Sequence, residues 1–181
     1  MSQPIVIADY SDEWPILFSR VSRAIRNEIG VIALRIDHIG STSIPGLAAK
    51  PIIDIQISVA NLEPVDAYRP ALERLGYHWR ASNPELTKRY FREAPGSRRT
   101  HIHIRRSGSW NEQWALLFRD YMRCHSEEHE GYAQLKRSLA ERFAHDMAAY
   151  TDAKGDLVWK IIRRADEWAS LSGWQPGPSD A

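Results

Sequence analysis

Between Asp12 and Gly30, the apolar residues Trp14, Leu17, Phe18, Val21 and Ile25 recur at three- and four-residue intervals, the spacing of an inward stripe on a helix. Ser11 and Asp12 stand where capping residues belong, Pro15 falls near the first turn, and Gly30 closes the segment. The period then changes. In VIALRIDHIG, Ile32, Leu34, Ile36 and His38 alternate with Ala33, Arg35, Asp37 and Ile39, as the two faces of a strand do. After the turn-rich GSTSIPG the alternation returns in PIIDIQISV, with Ile53, Ile55, Ile57 and Val59 on one face and Ile52, Asp54, Gln56 and Ser58 on the other. Asp54 and Gln56 thus point away from the aliphatic layer, toward what reads as an open face.

From Pro64 to Leu75 the spacing of Val65, Tyr68, Leu72 and Leu75 predicts a helix ended by Gly76. TKRYFREA and RRTHIHIRR follow as a hairpin around APGS, and His101, His103 and Arg105 share one face of its second strand. Three helices are expected beyond it: Trp110 to Cys124, Glu127 to Tyr150, and Asp156 to Leu171. Trp14, Trp114, Trp159 and Trp168 lie within helical stripes and read as core anchors rather than base-stacking platforms. The order helix, strand, strand, helix, hairpin and three helices describes an α+β domain with a helical C-terminal part. No repeat or low-complexity linker divides it, so residues 1–175 read as one domain and QPGPSDA as leading into a mobile tail over 176–181.

Composition narrows the classes. With 181 residues, 43% of them hydrophobic, the chain can bury one good core but not two. Its 24 basic and 23 acidic side chains leave a net charge of +1, which draws it neither to nucleic acid nor to anionic lipid, so any attraction for phosphate must be local. The single cysteine, Cys124, excludes an internal disulfide and a multi-cysteine zinc site. No apolar run has the length of a membrane span or an export signal, and a cytoplasmic protein is expected.

The chemistry concentrates between His38 and Val59. Backbone N–H groups at Gly40 and hydroxyls at Ser41, Thr42 and Ser43 suit phosphate oxygens, although such a turn by itself is ordinary punctuation. Asp54 on the next strand changes its weight. A turn that holds phosphate and a carboxylate that holds a divalent cation are two halves of a phosphoryl-transfer site.

Gly40-Ser41 followed by Asp54-Ile55-Gln56-Ile57 resembles the Gly-Ser plus Asp-x-Asp/Glu signature of the nucleotidyltransferase superfamily. The run HIGSTSIPGLAAKPIIDI, with HIHI, LLFRDYMRCH, YAQLKRSLA and AKGDLVWKII, is similar to the GrpB (UPF0157) family of small bacterial proteins, over Val6 to Trp168. The resemblance implies a nucleotidyltransferase-like mixed sheet flanked by helices, with a nucleoside triphosphate as ligand and an acceptor it does not name. Gly40 and Ser41 would then hold the triphosphate, and Asp54 would be the catalytic carboxylate and first metal ligand. Gln56 departs from the pattern, since a neutral amide stands where a second carboxylate would bridge metal ions.

His101 and His103 face the right way to replace a missing acid, and a set of Asp54, His101 and His103 would favour Zn²⁺ or Mn²⁺ over Mg²⁺. Alternate histidines on a strand face also serve as plain hydrogen-bonding residues. Lys50, Arg89, Arg92 and Arg105 are the cations placed to neutralise a triphosphate, while Arg119, Arg123, Lys136 and Lys160 either face the cleft from the helical side or make surface ion pairs. His125 and His129, at i and i+4, lack a third ligand. Two functions follow: a metal-dependent nucleotidyltransferase, or a binding or protein-interaction module that keeps the fold with an incomplete acidic site.

Overall fold

The computed structural model describes residues 4–181. Helix α1 spans Glu13–Ile29 and buries Trp14, Phe18 and Ile25, three residues of the stripe. Gly30, at φ +52°, turns the chain into a 3-10 turn over Gly30–Ile32, and strand β1 begins only at Arg35 and runs to Ile39. The predicted strand from residue 31 is thus shortened. Val31 is exposed with no sheet partner that would hold it extended, and at Leu34 only the N–H reaches the neighbouring strand, donating to the Ser58 carbonyl at 2.8 Å.

Strand β2, Ile53–Val59, pairs antiparallel with β1 and parallel with β5, Thr100–Arg106. Strand β4, Lys88–Glu93, pairs antiparallel with β5 as the hairpin requires, and β3, Tyr77–Trp79, adds an outer strand not anticipated from the sequence. The sheet order is β1-β2-β5-β4-β3. Between β2 and β3 the expected helix is shorter, a 3-10 turn at Val65–Ala67 followed by α2, Arg69–Arg74. Ile36, Ile53, Ile55, Ile57, Phe91, Ile102 and Ile104 form one face of the sheet and pack with α1 and α2 into the main core.

The opposite face carries the polar rows, and helices cover much of it. Helix α3, Trp110–Cys124, crosses this face, followed by α4, His129–Arg142, α5, Met147–Ala153, and α6, Gly155–Ser172. The single helix expected over Glu127 to Tyr150 is two. Phe143 ends α4, and the Asp146 side chain caps α5 by accepting from the Ala149 N–H. Ile44, Leu47, Phe118, Met122, Ile161 and Ala165 form a second core between these helices and the loop before β2. Trp14 anchors the first core as expected, but Trp159 is 53% exposed on α6 and anchors nothing.

Residues 176–181, expected to be mobile, lie against β1. The Ile36 N–H donates to Ser179 Oγ at 2.8 Å, the Ala181 N–H donates to the Ile36 carbonyl at 3.1 Å, and the His38 N–H donates to Asp180 Oδ2 at 2.9 Å. Arg119 is buried on α3 and ties this segment down, donating to Asp180 at 2.8 Å and lying 3.4 Å from Asp37.

Candidate functional site

Strand register assembles the site. Asp54 pairs with His101 across the parallel ladder, Gln56 with His103, and Arg92 and Tyr90 oppose the two histidines from β4. Opposed residues share a face, so the alternation read along each strand becomes a plane of neighbouring side chains. His101 Nδ1 lies 3.2 Å from Asp54 Oδ1, and His103 Nε2 lies 3.4 Å from the same oxygen. Burial disfavours the charged form of Asp54, yet hydrogen bonds from His101 and His103 outweigh it and hold the carboxyl well below the usual carboxylate range. Burial lowers the His103 pKa, and Asp54 only partly opposes it. The Tyr90 ring packs against both imidazoles, with centroids 5.6 and 5.2 Å away, and fixes their planes.

Gly40 brings the turn onto this carboxylate. Its φ of +69° and ψ of −176° belong to a region that only glycine occupies readily, and a β-carbon there would stand 2.8 Å from Asp54 Oδ2. Ser41 lines the cleft and reaches the Tyr132 hydroxyl on α4. Thr42 lines the cleft but is buried and donates to the Ile52 carbonyl with His38 on its other side, and Ser43 donates to the Gly40 carbonyl at 2.6 Å, so both hydroxyl protons are engaged in holding the turn together.

Gln56 shares the face of Asp54, but that face is not open at this point. The side chain is fully buried beneath α3, where Nε2 donates to the Glu112 carbonyl at 3.2 Å, and it does not line the cleft. Arg89 points to the other side of the sheet and pairs with Glu63. Arg92 is on the site's face, yet it pairs with Glu93 and lies outside the cleft lining. Arg105 lines the cleft while donating to Glu85 at 2.8 Å.

The cleft has a volume of about 550 Å³ and lies between the polar face of the sheet and the helices α3 to α6. Its sheet side is Asp54, His101, His103 and the Gly40 turn. Its helical side is cationic: Lys136 from α4 and Lys154 between α5 and α6 join Lys50 from the loop before β2. Lys154 and the Tyr150 beside it were missed at the level of sequence, where they looked like ordinary helix residues. Of the other cations, Arg119 is committed to acids, Arg123 donates to the Ser43 carbonyl at 2.9 Å, and Lys160 is exposed. His125 and His129 hydrogen-bond the Tyr121 and Met122 carbonyls and assemble no ligand set.

Among the described residues, Asp54, His101 and His103 form a group able to hold a metal ion, one ligand atom from each lying within 4.8 Å of the others. One carboxylate and two imidazoles suit a late first-row divalent ion with open positions better than Mg²⁺. His101 Nε2 and His103 Nδ1, the ring nitrogens turned away from Asp54, are buried without a partner.

A family model described as GrpB protein matches residues 4–164. The chain belongs to the GrpB family. A UPF0157 protein of Halalkalibacterium halodurans is 36% identical over 162 residues, covering 90% of this chain and 83% of that protein. The crystal structure of the conserved protein GrpB from Enterococcus faecalis superposes with a TM-score of 0.82 at 32% identity, over 90% of this chain and 99% of that one. The Cid1 poly(U) polymerase, in a structure with MgGTP bound, matches 75% of this chain and 45% of its own at 12% identity and a TM-score of 0.50. That likeness concerns the fold alone, which in this GrpB-family chain is nucleotidyltransferase-like: a five-stranded mixed sheet flanked by helices. No helix among the described residues is long and apolar enough to cross a membrane.

Proposed function

We propose that this chain binds a nucleoside triphosphate together with a divalent metal in the cleft between the sheet and α3 to α6, and transfers the nucleotidyl group to an acceptor. The observation that carries the reading is the seating of the Gly40 turn on Asp54, which sets the turn's backbone beside a carboxylate held ionised between two histidines. Asp54, His101 and His103 would hold the metal, which supplies neutralisation of charge on the phosphate oxygens. The chain's own residues bind and orient: Gly40 and Ser41 toward phosphate, and Tyr90 against the histidine rings. In the transfer, the acceptor oxygen bonds to the α-phosphorus as the bond to the pyrophosphate leaving group breaks, a reaction governed by positioning and charge.

Gln56 favours a second reading, binding without turnover, because no second carboxylate accompanies Asp54 on β2. The test is nucleoside triphosphate binding with Mn²⁺, Zn²⁺ or Mg²⁺ by the wild type and Asp54→Ala, together with pyrophosphate release by the wild type and Asp54→Asn. Binding and release that both depend on Asp54 support transfer. Binding without release supports the second reading, and no nucleotide binding with any metal overturns both.

A further inference from the structure

Three lysines converge on the helical wall of the cleft without an acid to match them. Lys50 Nζ stands 4.7 Å from the centroid of the Tyr150 ring, and Lys154 Nζ stands 5.3 Å from the same centroid, so one aromatic ring carries two ammonium groups. Lys136 Nζ lies 4.4 Å from the Tyr132 centroid and donates to the Ala48 carbonyl. Among the described residues, none of the three has a carboxylate within ion-pair distance. Asp54 acts on Lys50 and Lys154 only at longer range, and it faces the two histidines.

Such a cluster is costly in the free protein, because each ammonium is desolvated and repels the next. The lysines register that cost. Burial, with Lys154 nearby, brings Lys50 down to about 8, and burial, with Lys154, Arg137 and Lys50 around it, brings Lys136 down to about 7. A multiply charged anion relieves both effects at once, whereas one carboxylate would leave most of the charge unmatched. A further group points to the same ligand. Tyr150 is fully buried and lines the cleft, and its hydroxyl has no hydrogen-bond partner. Burial pushes that phenol up to about 12, so it keeps its proton and remains a donor at neutral pH.

We infer that Lys50, Lys136, Lys154 and the Tyr150 hydroxyl form a seat for a polyphosphate chain, distinct from the Asp54, His101 and His103 cluster and able to take the chain without metal or base. The inference rests on the proposed nucleotide cleft for its biological ligand, the β- and γ-phosphates of a nucleoside triphosphate and the pyrophosphate that leaves. Its chemistry stands by itself: ammonium and phenol donors toward phosphate oxygens, with no sequence or base readout.

The test is calorimetric titration of the full chain with inorganic tripolyphosphate in excess EDTA, at low and high salt, for wild type, Lys154→Gln, Lys50→Gln, Tyr150→Phe and Asp54→Ala. Circular dichroism on each variant shows that it is folded. The expected result is metal-free binding that weakens with salt, falls at least about tenfold in each lysine variant, falls less in Tyr150→Phe, and persists in Asp54→Ala. Nucleotide binding that proceeds with metal while folded Lys154→Gln and Lys50→Gln match wild type would overturn the seat and leave the proposed function standing. Tripolyphosphate binding with no nucleotide binding under any metal would uphold the seat and overturn that function. Absence of both would overturn the two together.

Discussion

Gly40 approaches Asp54 so closely that its missing side chain is the space the carboxylate occupies: a β-carbon at position 40 would stand 2.8 Å from Asp54 Oδ2 and 3.2 Å from its Cβ. Gly40→Ala therefore incurs both backbone strain and displacement of Asp54. Urea unfolding should show a loss of about 1–3 kcal/mol, and Mn²⁺ or Zn²⁺ affinity should fall with it. Gly96→Ala is the control, since Gly96 also has positive φ but nothing lies near its missing β-carbon. That variant should lose stability and keep its metal affinity.

The two imidazoles around Asp54 should decide which ion binds. Metal analysis after dialysis is expected to show Zn²⁺ retained in preference to Mg²⁺, because nitrogen donors favour the later first-row ions. His101→Ala and His103→Ala should each weaken Zn²⁺ binding by at least about tenfold. Retention of Mg²⁺ with no response to either substitution would remove the histidines from the ligand set.

Gln56→Glu should not restore a metal pair. The amide is fully buried and donates to the Glu112 carbonyl, so a carboxylate loses that bond and places charge against a carbonyl oxygen beneath α3. A destabilisation of about 3 kcal/mol is expected in chemical denaturation, with no gain in metal stoichiometry.

His38 makes stability sensitive to acid. Burial, with the Arg123 charge nearby, pushes its imidazole down from 6.5 to about 3. Between those values the unfolded chain takes up a proton that the folded chain refuses, so stability is fully present above 6.5 and declines as pH falls toward 3. Up to about 5 kcal/mol is at stake for this one group. His103, also lowered, adds a loss of the same sign as the pH falls below 6.5. Lys136, lowered to about 7, adds its own loss between 10.5 and 7, outside the acid window. Unfolding free energies measured from pH 7 to 4.5 should therefore slope downward, and His38→Asn should flatten part of that slope.

Much of the sheet side of the site was legible because a strand's period is two and cannot be mistaken over seven residues. Ile53, Ile55 and Ile57 identify the core face of β2, which leaves Asp54 on the other, and His101 and His103 follow by the same logic on β5. The same rule could have separated Arg89 from Arg92. Three residues apart on a strand, they cannot share a face, and only Arg92 sits with the histidines. What alternation does not contain is what covers a face. Gln56 and Asp54 are equivalent along β2, yet α3 lies over one and the cleft opens over the other, a difference decided by helices more than fifty residues away. Lys154 and Tyr150 were hidden for that reason: they belong to the site only once α5 folds back toward the loop before β2. The hydroxyls of Thr42 and Ser43 were read by type alone, and small loops consume their own polar groups first.

The segment from Ser179 to Ala181 has a consequence beyond the cleft. A strand at the margin of a sheet offers unpaired N–H and carbonyl groups to any extended chain that meets it. Here the Ile36 N–H and carbonyl are taken by Ser179 and Ala181, the His38 N–H by Asp180, and the His38 carbonyl by Arg119. The β1 margin is thereby closed to strand exchange with a second copy, and of the sheet's two margins only the short β3, three residues long, is left for an intruding strand to template upon.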